Sequence, residues 1–166
     1  GGTRSSNLPN MSGLNTTYRG GTADGFIMRV NATGSAFQTG TYIGTSLYDQ
    51  AYKIKLDANE DMYVYGQTLG SYPVTPGVYS NAGGKQFIHK LNRDLNVTRF
   101  STIFGSGSAA VNISPTALLV DICDNIYISG WGGEVNVGFR NDGTLGYTTG
   151  MPVTPDAYKA TTDGSD

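Results

Sequence analysis

The chain of 166 residues is long enough for one domain with its own core. Glycine fills 24 positions, tyrosine 11, and charged residues only 14%, a balance that excludes a helical bundle and points to strands and turns. With 11 Lys and Arg against 13 Asp and Glu, the net charge is −2, so neither the basic patch of a nucleic-acid binder nor the Lys/Arg-rich face of a membrane-surface helix is present, and no apolar run nears the ~20 residues of a membrane span.

Taken in chain order, residues 1–24 read as a loop leading into the first sheet. They open on Gly1-Gly2-Thr3-Arg4, without the charged-then-apolar pattern of a secretory leader. Apolar stretches bounded by turn residues predict strands over 25–31 and 36–43, then 50–57, 61–68, 86–92 and 98–104, then 116–121 and 125–131. Asp57-Ala58-Asn59-Glu60-Asp61 and Asn92-Arg93-Asp94-Leu95-Asn96 are tight polar turns between them, and 69–85 is a long loop rich in Pro and Gly.

The pattern repeats. Phe26-Ile27-Met28-Arg29-Val30-Asn31 returns as Phe87-Ile88-His89-Lys90-Leu91-Asn92, and Thr41-Tyr42-Ile43-Gly44 as Thr102-Ile103-Phe104-Gly105, both 61 positions on. Met62-Tyr63-Val64-Tyr65-Gly66 returns as Ile126-Tyr127-Ile128-Ser129-Gly130 after 64, and Tyr72-Pro73-Val74-Thr75-Pro76 as Met151-Pro152-Val153-Thr154-Pro155 after 79, an insertion following Trp131 accounting for the longer step. A recurring four-strand unit of this kind predicts an all-β fold, a β-propeller segment of four-stranded antiparallel blades. One full blade (46–106) is flanked by two partial ones: 25–45 supplies the last two strands of a blade, 107–131 the first two of the next, and 132–166 an inserted loop and the start of a third strand. Tyrosines that recur with the period, Tyr63 and Tyr127 among them, read as core. Such a segment cannot close a ring, so it is expected to belong to a longer chain whose other blades are its partners.

At these residues the sequence resembles the bacterial SBBP β-propeller repeat, over about 24–166. The stretch Ile128-Ser129-Gly130-Trp131-Gly132-Gly133, with Thr148-Thr149-Gly150 and Thr161-Thr162-Asp163-Gly164-Ser165-Asp166, is similar to very large surface proteins of Bacteroidetes associated with gliding motility and type IX secretion. The resemblance implies an exported module, extracellular or on the outer cell surface, that acts without catalysis in display, adhesion or assembly through surface proteins or glycans. A carbohydrate-binding or carbohydrate-active propeller is the alternative.

Candidate sites are sparse. Asp57, Asn59 and Asp61 have the alternate-oxygen spacing of a calcium loop, but Met62 and Thr68 stand where an EF-hand needs Gly and Glu, and the repeat copy puts Cys123 in place of Asn59, so a hairpin turn is the simpler reading. No other cofactor is indicated. His89, the single histidine, occupies the repeat position of Met28 and is expected to be buried among packing residues. The single cysteine, Cys123, has no histidine near it in sequence, and no G-x-S-x-G elbow occurs. Asp49, Glu60 and Glu134 are the carboxylates that could meet partners from other blades in a glycosidase pair. Trp131, Phe139, Arg140 and Tyr147 sit on or beside the insertion, where residues of these types anchor interfaces or stack on sugars; the plainer expectation is that Trp131 ends a strand.

Overall fold

The computed structural model describes residues 1–132 and 148–161, and among these there is no helix. The strands are β1 (Gly2–Thr3), β2 (Asp24–Val30), β3 (Phe37–Ile43), β4 (Asp49–Leu56), β5 (Met62–Thr68), β6 (Gln86–Leu91), β7 (Thr98–Phe104), β8 (Ile113–Val120) and β9 (Ile126–Gly132). They form three antiparallel sheets, β1-β2-β3, β4-β5-β6-β7 and β8-β9, none of them closed. The predicted strands are therefore present to within a few residues. One strand was not foreseen: Gly2–Thr3 pairs with Asp24–Gly25, because the Gly1 carbonyl and amine are tied to Phe26.

The repeat is visible in the backbone itself. Bulges fall at Arg29/Val30 and Lys90/Leu91, and at Ala51/Lys53 and Pro115/Ala117, equivalent places in successive units. The hairpin turns match too. Asn31 Oδ1 accepts from the amides of Ser35 and Ala36, as Asn92 Oδ1 does from Asn96 and Val97. Each turn carries a left-handed residue at the same place, Gly34 at φ 71° in the first and Leu95 at φ 59° in the second. A leucine tolerates that strained conformation because its side chain is fully buried, which composition alone, reading the turn as polar, does not reveal.

The middle sheet is packed on both faces. Alternation along β5 sends Met62 and Val64 to one side, where they meet Ile27 and Ile43 of the first sheet together with Phe87, Leu91 and Leu95. It sends Tyr63 and Tyr65 to the other, against Val120, Leu118, Ile113 and Ile126 of the third sheet. Every residue of β5 is consequently buried. Aromatic pairs reinforce both cores, Tyr72 stacked on Phe87 at 4.2 Å on one side and Tyr63 edge-on to Phe100 at 6.0 Å on the other.

The outer edges are covered by straps from the loops. Residues 73–81 run along β7: the Thr75 and Asn81 amides donate to the Ser101 and Ile103 carbonyls, and the Ser101 hydroxyl donates to the Pro73 carbonyl. Residues 10–15 run along β3 in the same way, the Gly13 amide donating to Gly40 and the Tyr42 amide to Asn15. An edge bonded to such a strap cannot template another chain. A turn over 154–157 repeats that of 75–78, the Ala157 amide donating to Thr154 as Val78 does to Thr75.

One expectation is corrected. Tyr127, at the repeat position of Tyr63, is 54% exposed where Tyr63 is 1% exposed, because Ile126 takes the inward face of β9 and nothing among the described residues covers the opposite one. Tyr63→Ala is accordingly predicted to cost about 3 kcal/mol or more in urea unfolding, whereas Tyr127→Ala stays within about 0.5 kcal/mol of the parent. Equal losses at the two positions would contradict the one-sided burial of the third sheet.

Candidate functional site

The Asp57–Asp61 segment is the hairpin between β4 and β5. Asp57 Oδ1 accepts from the Asn59 and Asp61 amides at 2.8 and 3.0 Å, and Glu60 takes the left-handed conformation at φ 62°. The copy at Asp121 is built alike, its Oδ1 accepting from Cys123 and Asn125. Cations already face the carboxylates from the neighbouring strands. Lys90 Nζ of β6 lies 2.6 Å from Asp57 Oδ2, and Arg99 Nε of β7 lies 3.0 Å from Asp61 Oδ2. Lys90 also sits 4.6 Å above the Tyr63 ring. Burial alone would raise the Asp57 carboxyl, but Lys90 and the two amides outweigh it and hold it below its ordinary value. The donor set does not fit calcium, which takes six to eight oxygens: Asp57 spends its oxygens on the turn and on Lys90, and a divalent ion here would have to displace two cations.

Trp131 lies near the end of β9, at the repeat position of Gln67, and is 45% exposed. Gln67 is buried and its Nε2 donates to the Ile113 carbonyl of the next sheet at 2.8 Å. Trp131 shares the exposed face of β9 with Tyr127, four positions along the same alternation. Phe139, Arg140, Tyr147 and Glu134 lie outside the described residues, so of the four predicted binding residues only Trp131 has a described place. Asp49 lies at the start of β4 and Glu60 in the hairpin, where it pairs with Arg93 at 2.8 Å; the structure does not bring these two carboxylates together.

His89 is buried, as its repeat position suggested. Nδ1 pairs with the Tyr72 hydroxyl and Nε2 with the Thr98 hydroxyl, both at 2.8 Å. Burial lowers its pKa to about 4, so the ring is neutral at neutral pH. Together with Tyr72, Thr98 and Ser101 it lines a cleft of about 380 Å³. The Ser101 hydroxyl is committed to the Pro73 carbonyl at 2.6 Å and is not paired with the histidine. Cys123 is exposed on the β8–β9 turn.

The group that motif reading missed lies at the junction of the first two sheets. Asp24 opens β2, Asp49 opens β4, and both side chains are fully buried. They face one another across Gly44: a Cβ placed on that glycine would lie 2.9 Å from Asp24 Oδ1 and 3.0 Å from Asp49 Oδ2. Asp49 Oδ2 accepts from the Thr45 amide and hydroxyl at 2.6 and 2.8 Å, and Asp24 Oδ2 from the Arg19 amide. A cleft of about 460 Å³ opens beside Gly44, walled by Arg19, Thr45, Gly70 and Pro73. The sequence does hold a signal, the recurrence of Gly44-Thr45 as Gly105-Ser106, but unequal loops separate each pair from the next strand and hide the partner acids.

The Asp57–Lys90 pair makes a testable contribution. Because its folded carboxyl titrates below its unfolded value of 3.8, Asp57 adds stability that is complete above that value and is lost as the pH falls through the folded one. Asp57→Asn should therefore melt below the parent at neutral pH, with the gap closing as the medium is acidified, in thermal melts followed by circular dichroism. Millimolar calcium should leave both midpoints unmoved. A gap independent of pH, or a calcium-dependent rise in the parent alone, would contradict this account.

Comparison of the chain with protein-family models, with curated proteins and with solved structures gives no match.

Proposed function

We propose that the chain is a run of consecutive propeller-type blades in a longer, exported bacterial surface protein, serving as a non-catalytic scaffold for display or adhesion. The observation that carries this reading is the face of β8–β9 that no sheet among the described residues covers. Leu119, Tyr127 and Trp131 are exposed there, while the equivalent face of the middle sheet, with Tyr63 and Gln67, is buried against the sheet that follows it. A further sheet seated in the same way would bury these side chains, and the 154–157 turn has the form of the 75–78 turn, which belongs to the strap on the outer strand of the middle sheet. The surface location and the display role rest on the sequence resemblance to SBBP-type repeats. Low charge and abundant Tyr, Thr and Asn suit a rigid platform whose loops meet proteins or glycans.

A second reading is favoured by the same aromatics. Tyr127 and Trp131 lie on one face four residues apart, about 13 Å, so separate rings of an oligosaccharide could stack on each.

Trp131 is the chain's single tryptophan and so reports directly on this face. Extending the chain by the repeat that follows it should shift the Trp131 emission to the blue and remove its quenching by acrylamide, and antibodies to the chain should label intact cells. Unchanged emission would contradict the blade reading, and labelling confined to lysed cells would contradict the surface location. Saturable quenching of Trp131 by an oligosaccharide in the 166-residue chain would support the carbohydrate reading instead.

A further inference from the structure

The Asp24–Asp49 junction has an internal counterpart that shows what it lacks. Sixty-one positions on, Gly105 stands for Gly44, and a Cβ there would lie 2.7 Å from both Asn112 Oδ1 and the Gln86 side-chain amide. Ser106 stands for Thr45: its amide donates to Asn112 Oδ1 and its hydroxyl accepts from Asn112 Nδ2, both at 2.8 Å. With its amide oriented to satisfy both ends, Gln86 donates to the Phe104 carbonyl at 3.2 Å and accepts from the Asn112 amide at 2.9 Å. The second junction is thus closed by two neutral amides that supply their own donors.

The first junction is built around the equivalent glycine but is closed by two acids, Asp24 and Asp49, each one position away from the repeat places of Gln86 and Asn112. Asp24 Oδ1 and Asp49 Oδ1 are buried and accept no hydrogen bond of good geometry, although the Thr68 hydroxyl near Asp49 and the Gly20 amide near Asp24 favour the charged forms. Two ionised carboxylates facing each other out of water, each with one oxygen short of a well-placed donor, would be costly. A carboxylic acid, by contrast, offers the donor that an amide offers. The charged and titratable groups facing the pair are few. Arg19 lies near both acids and favours their charged form, while Tyr18 and Tyr72 approach as neutral hydroxyls. Burial outweighs these partners and raises both carboxyls above their ordinary value. A cation in place of the proton would find two carboxylates beside Arg19, and among the described residues no group of three acidic, histidine or cysteine side chains is gathered to hold one.

We propose that Asp24 and Asp49 hold one proton between them, closing the junction of the first two sheets as the Gln86–Asn112 amides close the next, and that loss of this proton loosens the first sheet from the second. The junction is then a clamp that weakens as the pH rises through the folded titration of the pair. The sign follows from linkage: the folded chain keeps a proton that the unfolded chain releases near 3.8, so the contribution to stability is greatest in acid and is lost as the pH rises through the folded titration.

The test is the melting temperature of the 166-residue chain against Asp49→Asn and Asp24→Asn from about pH 5 to about pH 9, where each unit by which the pair's titration is displaced corresponds to roughly 3 °C. The parent is expected to lose stability relative to Asp49→Asn as the pH rises, because the variant carries the amide that Asn112 supplies in the second junction. A difference that does not change with pH overturns the proposal. Should neither variant fold, ¹³C NMR of the two Asp carboxyl carbons in the unaltered chain decides: a coupled titration displaced upward supports the shared proton, and two independent titrations at or below the ordinary value overturn it. Repeating the melts with and without calcium separates proton from cation. A calcium-dependent rise in the parent at about pH 8 that is missing from Asp49→Asn would mean that a metal holds the pair, and overturns it too.

Discussion

The structure depends on a sheet that is covered on both sides. Because side chains alternate along a strand, β5 can be buried throughout only if separate sheets stand against its two faces. Val64 and Met62 need the first sheet, and Tyr63 and Tyr65 need the third. None of the three could keep its apolar face dry alone, which is the ordinary condition of a repeat unit. The reading of the chain as a scaffold grows from this dependence, since the face of β9 that no described sheet covers leaves Tyr127 and Trp131 about half exposed.

Two further devices make the packing specific. At each junction a glycine, Gly44 or Gly105, lets the polar side chains that open neighbouring strands approach one another, and the hydroxyl residue after it holds the Asx side chain in place. Outside, the 10–15 and 73–81 straps occupy the edge strands β3 and β7, so growth in the plane of the sheet is blocked at those two edges while stacking face to face remains open. The Lys90–Asp57 and Arg99–Asp61 pairs tie the hairpin turn to the next two strands in the same sheet, which fixes the end of the sheet and sets a cation against each carboxylate.

Much of this was legible in the sequence, for reasons that can be named. The repeated Phe26/Phe87 and Tyr63/Tyr127 stretches carry the strand pattern, and turn chemistry at Asp57 and Asn92 marks the hairpins, because both signals are local. What depended on distant residues was hidden. Tyr127 shares its local pattern with Tyr63, yet no sheet among the described residues covers its side of β9 and it stays exposed. Leu95 looks like part of a polar turn, yet its side chain reaches the core. Asp24 and Asp49 are 25 residues apart and become neighbours only through the packing of two sheets at Gly44. Of the candidate site residues, the Asp57 turn could be judged from its imperfect calcium spacing, but Lys90 and Arg99, which occupy its carboxylates, come from other strands and carry no motif.

The most direct test of the central claim, that successive sheets shield one another face to face, is amide hydrogen exchange resolved by strand. In the 166-residue chain β5 should exchange most slowly and β9 much faster, although the two have closely related sequences. When the next repeat is joined to the chain, β9 should slow to the rate of β5. If β9 is already as protected as β5 in the shorter chain, or stays fast in the longer one, mutual covering of the sheets is not what holds this fold together.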